Sequence, residues 1–139
     1  VWDGRSSITD PLHVELNDQK FTFLSNSINN YHKALKLKPD YTEVYYDIGI
    51  AYYHMAELKP DAKWLNRLIN KDNADLYYQK GADYYTIDTG EKAIEFLGQY
   101  YQTLIKKVPP DLKGAGQINE LMEDIRTRLN LPGATSGGH

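Results

Sequence analysis

The chain has 139 residues, 41% of them hydrophobic and 25% charged, which suffices for one globular domain with a real core. A formal net charge of -3 gives no overall pull toward nucleic acid or an acidic membrane surface, and the absence of Cys excludes disulfides, zinc–thiolate and iron–sulfur sites and thiol nucleophiles. No window approaches ~18 uninterrupted apolar residues, so no membrane insertion is expected, and the compartment stays open.

Residues 1–10, with Gly4, a Ser pair and no periodicity, are expected to form a flexible lead-in. Val1 in place of Met is expected to reflect a processed or trimmed chain, so a targeting segment need not be present. Asp10-Pro11 has the form of an N-cap followed by proline in a first helical turn. Leu12, Val14 and Leu16 alternate more than they spiral, and Asn17-Asp18 is expected to break whatever short element they make. From Gln19 the apolar positions Phe21, Leu24, Ile28, Tyr31 and Leu35 recur at spacings of three and four, the period of an amphipathic helix. Lys38-Pro39-Asp40 stops it, because the residue before proline resists helical geometry and Pro39 presets a turn.

Thr42 offers an N-cap, and Glu43 suits the positive end of a helix expected to run to about Glu57. Pro60-Asp61 punctuates, and Trp64, Leu65, Leu68 and Ile69 predict a shorter helix. Asn70-Lys71-Asp72-Asn73 reads as a polar turn. A further helix is expected to about Ile87, then a tight connection at Asp88-Thr89-Gly90, then a long amphipathic run from Ala93 to Val108 that Pro109 and Pro110 end. Asp111 to Gly116 reads as a linker, and residues 117–130 form a last helix with Ile118, Leu121, Met122, Ile125 and Leu129 on its apolar face. Residues 131–139 are expected to be a disordered tail. The outcome is an all-α chain of about six to seven helices with no credible strand.

Tyr is the compositional peculiarity, with 12 residues against 3 Phe and 2 Trp. Many fall in two stretches of one design, Val44-Tyr45-Tyr46-Asp47-Ile48-Gly49-Ile50-Ala51-Tyr52-Tyr53 and Leu76-Tyr77-Tyr78-Gln79-Lys80-Gly81-Ala82-Asp83-Tyr84-Tyr85. They align at both doublets and at the glycine with an offset of about 32 residues, close to a helical-repeat period. A doublet that recurs after seven residues spans two helical turns of one face.

Those residues resemble tetratricopeptide (TPR) repeats, a family of helix–turn–helix units. Tyr45, Ile48, Gly49 and Tyr52 match its first-helix pattern, Tyr31, Ala34 and Pro39 match the end of a preceding second helix, and Tyr77, Gly81, Tyr84 and Ala93 match in the next unit. The resemblance implies an α-α superhelix of stacked antiparallel helix pairs. It would form a single domain over 11–130, with a half-unit at 19–39, units at about 42–73 and 74–108, and a capping helix at 117–130. Gly49 and Gly81 would then let partner helices approach closely. By the same resemblance Tyr45, Tyr52, Tyr77 and Tyr84 pack between helices, while Tyr46, Tyr53, Tyr78 and Tyr85 face a concave groove together with Glu43, Ile50, His54, Asp75, Ala82 and Thr86. No basic clamp of the kind that grips a partner's C-terminal carboxylate is visible on that face.

Nothing in the sequence carries catalysis, a metal or a cofactor. His13, His32, His54 and His139 lack the spacing of a zinc hydrolase, Ser25 and Ser27 lack a nucleophile elbow, and Asp88 to Glu91 is too short for a calcium loop. Asp47, Asp75 and Asp83 read as solvated or groove charges rather than an acid–base pair. The expected function is therefore non-enzymatic: an adaptor or scaffold module that binds a peptide or helix of another protein in a Tyr-lined groove. The alternative is an assembly subunit that homo- or hetero-oligomerises through apolar helix faces, with Tyr101, Leu104 and Met122 at the contact.

Overall fold

The computed structural model describes residues 11–58, 66 and 68–132, and among them the chain forms five helices and no strand. Helix α1 spans Pro11–Leu37, α2 Glu43–Ala56, α3 Ala74–Lys80, α4 Ala82–Ile105 and α5 Leu112–Arg128. The expected lead-in, Pro60-Asp61, Trp64 and Leu65, and residues 133–139 of the expected tail lie outside the described residues.

Two expected breaks are absent, one unexpected break appears, and the helix expected around Trp64 to Ile69 lies largely outside the described residues, so five helices are described against the six to seven expected. Asn17-Asp18 lies within α1; each residue costs only a few tenths of a kcal/mol of helix propensity and removes no backbone donor. Asp88-Thr89-Gly90 lies within α4. There Asp88 pairs with Lys92 one turn on at 3.4 Å, and Gly90 is buried under Leu129 and Leu131. The break falls instead at Gly81, whose φ of 53° and ψ of -123° separate α3 from α4. A Cβ on Gly81 would meet no atom closer than 3.9 Å, so this glycine provides a backbone conformation and not the close helix approach expected of it.

The connections use local hydrogen bonds. After α1 the Lys38 amide still donates to the Ala34 carbonyl, and Tyr41 N–H returns to the Lys38 carbonyl. Thr42 occupies the N-cap position of α2 in helical geometry without a side-chain cap bond. The Asn70–Asn73 turn is closed by its own amides, with Asn70 Oδ1 accepting from the Asp72 and Asn73 backbone and Asn73 Oδ1 from Asn70 N–H. Helix α5 starts earlier than expected, because Asp111 caps it by accepting from Gly114 N–H at 2.9 Å. It ends in a Schellman motif: Asn130 has φ 54°, Asn130 N–H donates to the Thr127 carbonyl, and Leu131 N–H donates to the Arg126 carbonyl. That motif turns Leu131 inward to 4% exposure, so position 131 belongs to the core and not to the tail.

Helix α2 packs chiefly on α4, α4 on α5, α1 on α2 and α3 on α4. Gly49 makes the closest approach: a Cβ there would stand 2.7 Å from Leu97 Cγ. One core cluster, with Tyr53, Ala93, Leu97, Leu104, Ile118, Met122, Ile125 and Leu131, fills the space between α2, α4 and α5. A second, with Ile28, Ala51, Met55, Tyr77 and Tyr85, joins α1 to the other side of α2, α3 and α4. Helices α2 and α4 run antiparallel, since Tyr46 meets Tyr100 while Met55 meets Tyr85. Leu104 and Met122 lie inside the first cluster, which leaves only the half-buried Tyr101 of the three residues expected at a subunit contact.

Candidate interaction surface

The tyrosines divide by their surroundings rather than by their place in a doublet. Tyr45 and Tyr52 stack on opposite turns of α2 against Phe96 of α4, at 6.4 and 5.8 Å between ring centroids. His32 of α1 meets the same ring edge-on at 5.5 Å. Tyr77 and Tyr84 form a perpendicular pair 4.8 Å apart across the Gly81 break. All four expected packing members thus make packing contacts.

Two of the expected groove members do so as well. Tyr85 is 1% exposed, and its hydroxyl donates to the Met55 carbonyl at 2.7 Å. Burial first, then Tyr77, pushes its phenol pKa far above the ordinary value. The cause is the Gly81 break: it resets the helical phase, so Tyr78 and Tyr85 do not share a face although seven positions separate them. Tyr53 is 9% exposed in the first core cluster, and Arg128 Nη1 donates to its hydroxyl at 3.4 Å. Tyr53 does lie two turns from Tyr46 on one face of α2, but α5 covers that face there. Ile50, half-buried against the same cluster, is covered too. The expected groove along α2 is therefore filled by the chain's own last helix.

Tyr46, at the start of α2, stays 37% exposed. Its ring stands 5.5 Å from Tyr100, with the planes inclined by 55°. Beside the pair opens a hollow of about 380 Å³ lined by Leu104, Asp111, Gly114, Gln117, Ile118 and Leu121. Glu43 is exposed on the first turn of α2. Burial raises the Tyr100 pKa, and the charges of Glu43, Asp111 and Asp47 raise it further. The Asp47 carboxyl is itself held above its ordinary range, by burial and then by Glu43. Sequence reasoning missed Tyr100 and Asp111 as site residues; the only sign was a carboxylate directly after the Pro109-Pro110 stop and an aromatic on the helix before it.

Asp75, Tyr78 and Ala82 are exposed on α3 and the first turn of α4, with Tyr78 74% exposed. A rise of about 1.5 Å per residue separates the Ala82 end of α4 from Tyr100 by roughly 27 Å. Tyr46 and Tyr78 therefore do not share a wall. His54 is exposed beside Glu57, with Nδ1 to Oε1 at 3.6 Å. Thr86 borders a separate polar hollow of about 560 Å³ with Glu57, Asp83, Arg128 and Asn130.

Among the described residues, no helix is long and apolar enough to cross a membrane. Residues 24–55 match a family model described as a TPR repeat, a span that takes in the second half of α1, the Pro39 turn and α2 to Met55. The other tyrosine-doubled unit, at 74–108, lies outside that span. No curated protein and no solved structure matches the chain.

Proposed function

We propose that this chain, a TPR-like helical repeat protein by its match over residues 24–55, is a non-enzymatic interaction module that holds a peptide segment or a helix of a partner protein, as an adaptor or scaffold component. TPR repeats generally mediate protein–protein interaction. The docking surface we assign is the open end of α2, where Glu43 and Tyr46 border the hollow against α4 and α5. The observation that carries this reading is the exposed Tyr46 beside a hollow of about 380 Å³ with an apolar floor. Tyrosine suits recognition because it offers a rigid amphipathic ring at low entropic cost. Tyr78, with Asp75 and Ala82, is a separate exposed patch in this reading and contributes no wall to the same site.

Selection of phage-displayed random peptides on the folded chain, followed by fluorescence anisotropy with the enriched peptide, tests it. Tyr46→Ala should weaken binding by roughly tenfold or more, the scale of a hot-spot residue, with the helical circular dichroism retained. Tyr78→Ala should leave the affinity unchanged. Equal binding by wild type and Tyr46→Ala would remove the assignment.

A further inference from the structure

Deepening that reading, the chemistry around Tyr46 specifies what the partner presents. The Tyr46 and Tyr100 rings come from two different helices, meet at 5.5 Å with their planes inclined by 55°, and both line the hollow. The floor is apolar, formed by Leu104, Ile118 and Leu121. The rim is anionic: Glu43 and Asp47 flank Tyr46 on α2, and Asp111 lies across from them at the start of α5. Among the described residues, no Lys, Arg or His stands within ion-pair distance of Glu43, Asp47 or Asp111. Lys106, Lys107 and Lys113 are exposed near the α4–α5 turn and pair with none of the three. The hollow is thus lined by two tyrosine rings and one carboxylate, with Glu43 and Asp47 close enough to act on Tyr100, and among the described residues no ion pair of the chain's own neutralises these three charges.

We propose that this hollow takes a single Lys or Arg side chain of a partner polypeptide, its cation set against the edge of the tyrosine pair and beside the Asp111 carboxylate, and its methylene stem laid on Leu104 and Leu121. A cation within about 6 Å of an aromatic centroid is attracted by the ring quadrupole, more strongly when desolvated. Long basic side chains bury their stems on apolar surface while the charged head stays at the polar rim, which is the arrangement of this hollow. The alternatives fit less well. An apolar side chain would desolvate the Asp111 carboxylate, which the Gly114 amide alone would then have to satisfy. A bare divalent cation needs six or more converging oxygens, and here two rings and leucines occupy much of the lining.

The test uses peptides recovered by the same phage selection. Enriched sequences should carry a Lys or Arg beside an apolar residue. Replacing that basic residue by norleucine should weaken binding by roughly tenfold or more, and the affinity should fall with added salt. In the chain, Glu43→Gln combined with Asp47→Asn should give a loss of similar size, and Tyr46→Leu, which keeps the apolar area and removes the π face, a smaller one. Asp47→Asn removes a charge that burial and Glu43 already disfavour, so it should not destabilise the fold. If Tyr46→Ala weakens binding while the charge variants and the norleucine peptide bind as before, this inference fails and the interaction surface stands. If Tyr46→Ala has no effect, or no peptide is enriched at all, both fail.

Discussion

The hydroxyl of Tyr85 donates to the carbonyl oxygen of Met55 at 2.7 Å, tying the first half of α4 to the last turn of α2. The Met55 carbonyl also accepts from Leu58 N–H at 3.1 Å, so removing the phenol leaves no orphaned acceptor. Tyr85→Phe should therefore cost only about 0.5–1.5 kcal/mol, the net value of one such bond. Tyr85→Ala should cost about 3–5 kcal/mol, because it also empties a fully buried ring volume. Urea unfolding followed by circular dichroism measures both. Equal small losses would mean that the ring is not in the core.

Alkaline pH should destabilise the fold through the same cluster. Burial first, then the charge of Asp88 and the proximity of Tyr84, push the Tyr77 pKa up to about 12 from 10.0, and Tyr85 moves in the same direction. A raised folded-state pKa means that the stabilisation is complete below the unfolded value. Above pH 10 the unfolded chain releases these phenolic protons while the folded chain keeps them, so stability falls as the pH rises from 10 toward 12. Tyr77→Phe should flatten part of that fall. Urea midpoints for wild type and variant at neutral pH and at about pH 11 decide it; parallel losses would show that Tyr77 carries no linked proton.

The helical frame is largely legible in the residues themselves. Pro39 ends α1 where expected, and Gly49 meets Leu97 as a close-approach glycine should. Asp88-Thr89-Gly90 is misleading because its weakness is local: about 2 kcal/mol of summed propensity reads as a turn. The Asp88–Lys92 pair and the cover of Leu129 and Leu131 over Gly90 are contacts that periodicity does not display. Gly81 had a usable sign, since a cation followed by glycine is a usual helix stop, and a break there removes the shared face expected of Tyr78 and Tyr85. Tyr53 had none. Only the placement of α5 over α2 distinguishes it from Tyr46, and that is a tertiary relationship.

Gly81 adopts φ 53°, a conformation that side chains with a Cβ rarely take. Nothing crowds the position, so the effect of Gly81→Ala comes from backbone strain and not from a clash. A loss of about 1–2 kcal/mol is expected. The strain can also be relieved by continuing α3 into α4, which would move Tyr77 out of the second core cluster. Hydrogen exchange at the Ala82 and Asp83 amides separates the two outcomes, since the Gly81 amide already donates to the Tyr77 carbonyl. A substitution without loss of stability and without new amide protection would contradict the assigned break.

Gly49 and Gly98 both lie inside helices, yet alanine should act on them with opposite sign. At Gly98 an added Cβ meets nothing within 4 Å, so Gly98→Ala gains the helix propensity difference of up to about 1 kcal/mol. At Gly49 the same atom would stand 2.7 Å from Leu97 Cγ, 2.9 Å from Leu97 Cδ2 and 3.2 Å from the Ala93 carbonyl oxygen. Leu97 is fully buried and cannot swing away, and the carbonyl belongs to the α4 backbone, so relief requires α2 and α4 to separate. Such overpacking costs about 1–3 kcal/mol, at least matching and commonly exceeding the propensity gain. Thermal unfolding of the two single variants beside wild type provides the comparison: Tm should rise for Gly98→Ala and fall for Gly49→Ala. A rise for both would mean that α2 and α4 are not in contact at Gly49, and the hollow beside Tyr46 and Tyr100, which depends on that contact, would lose its frame.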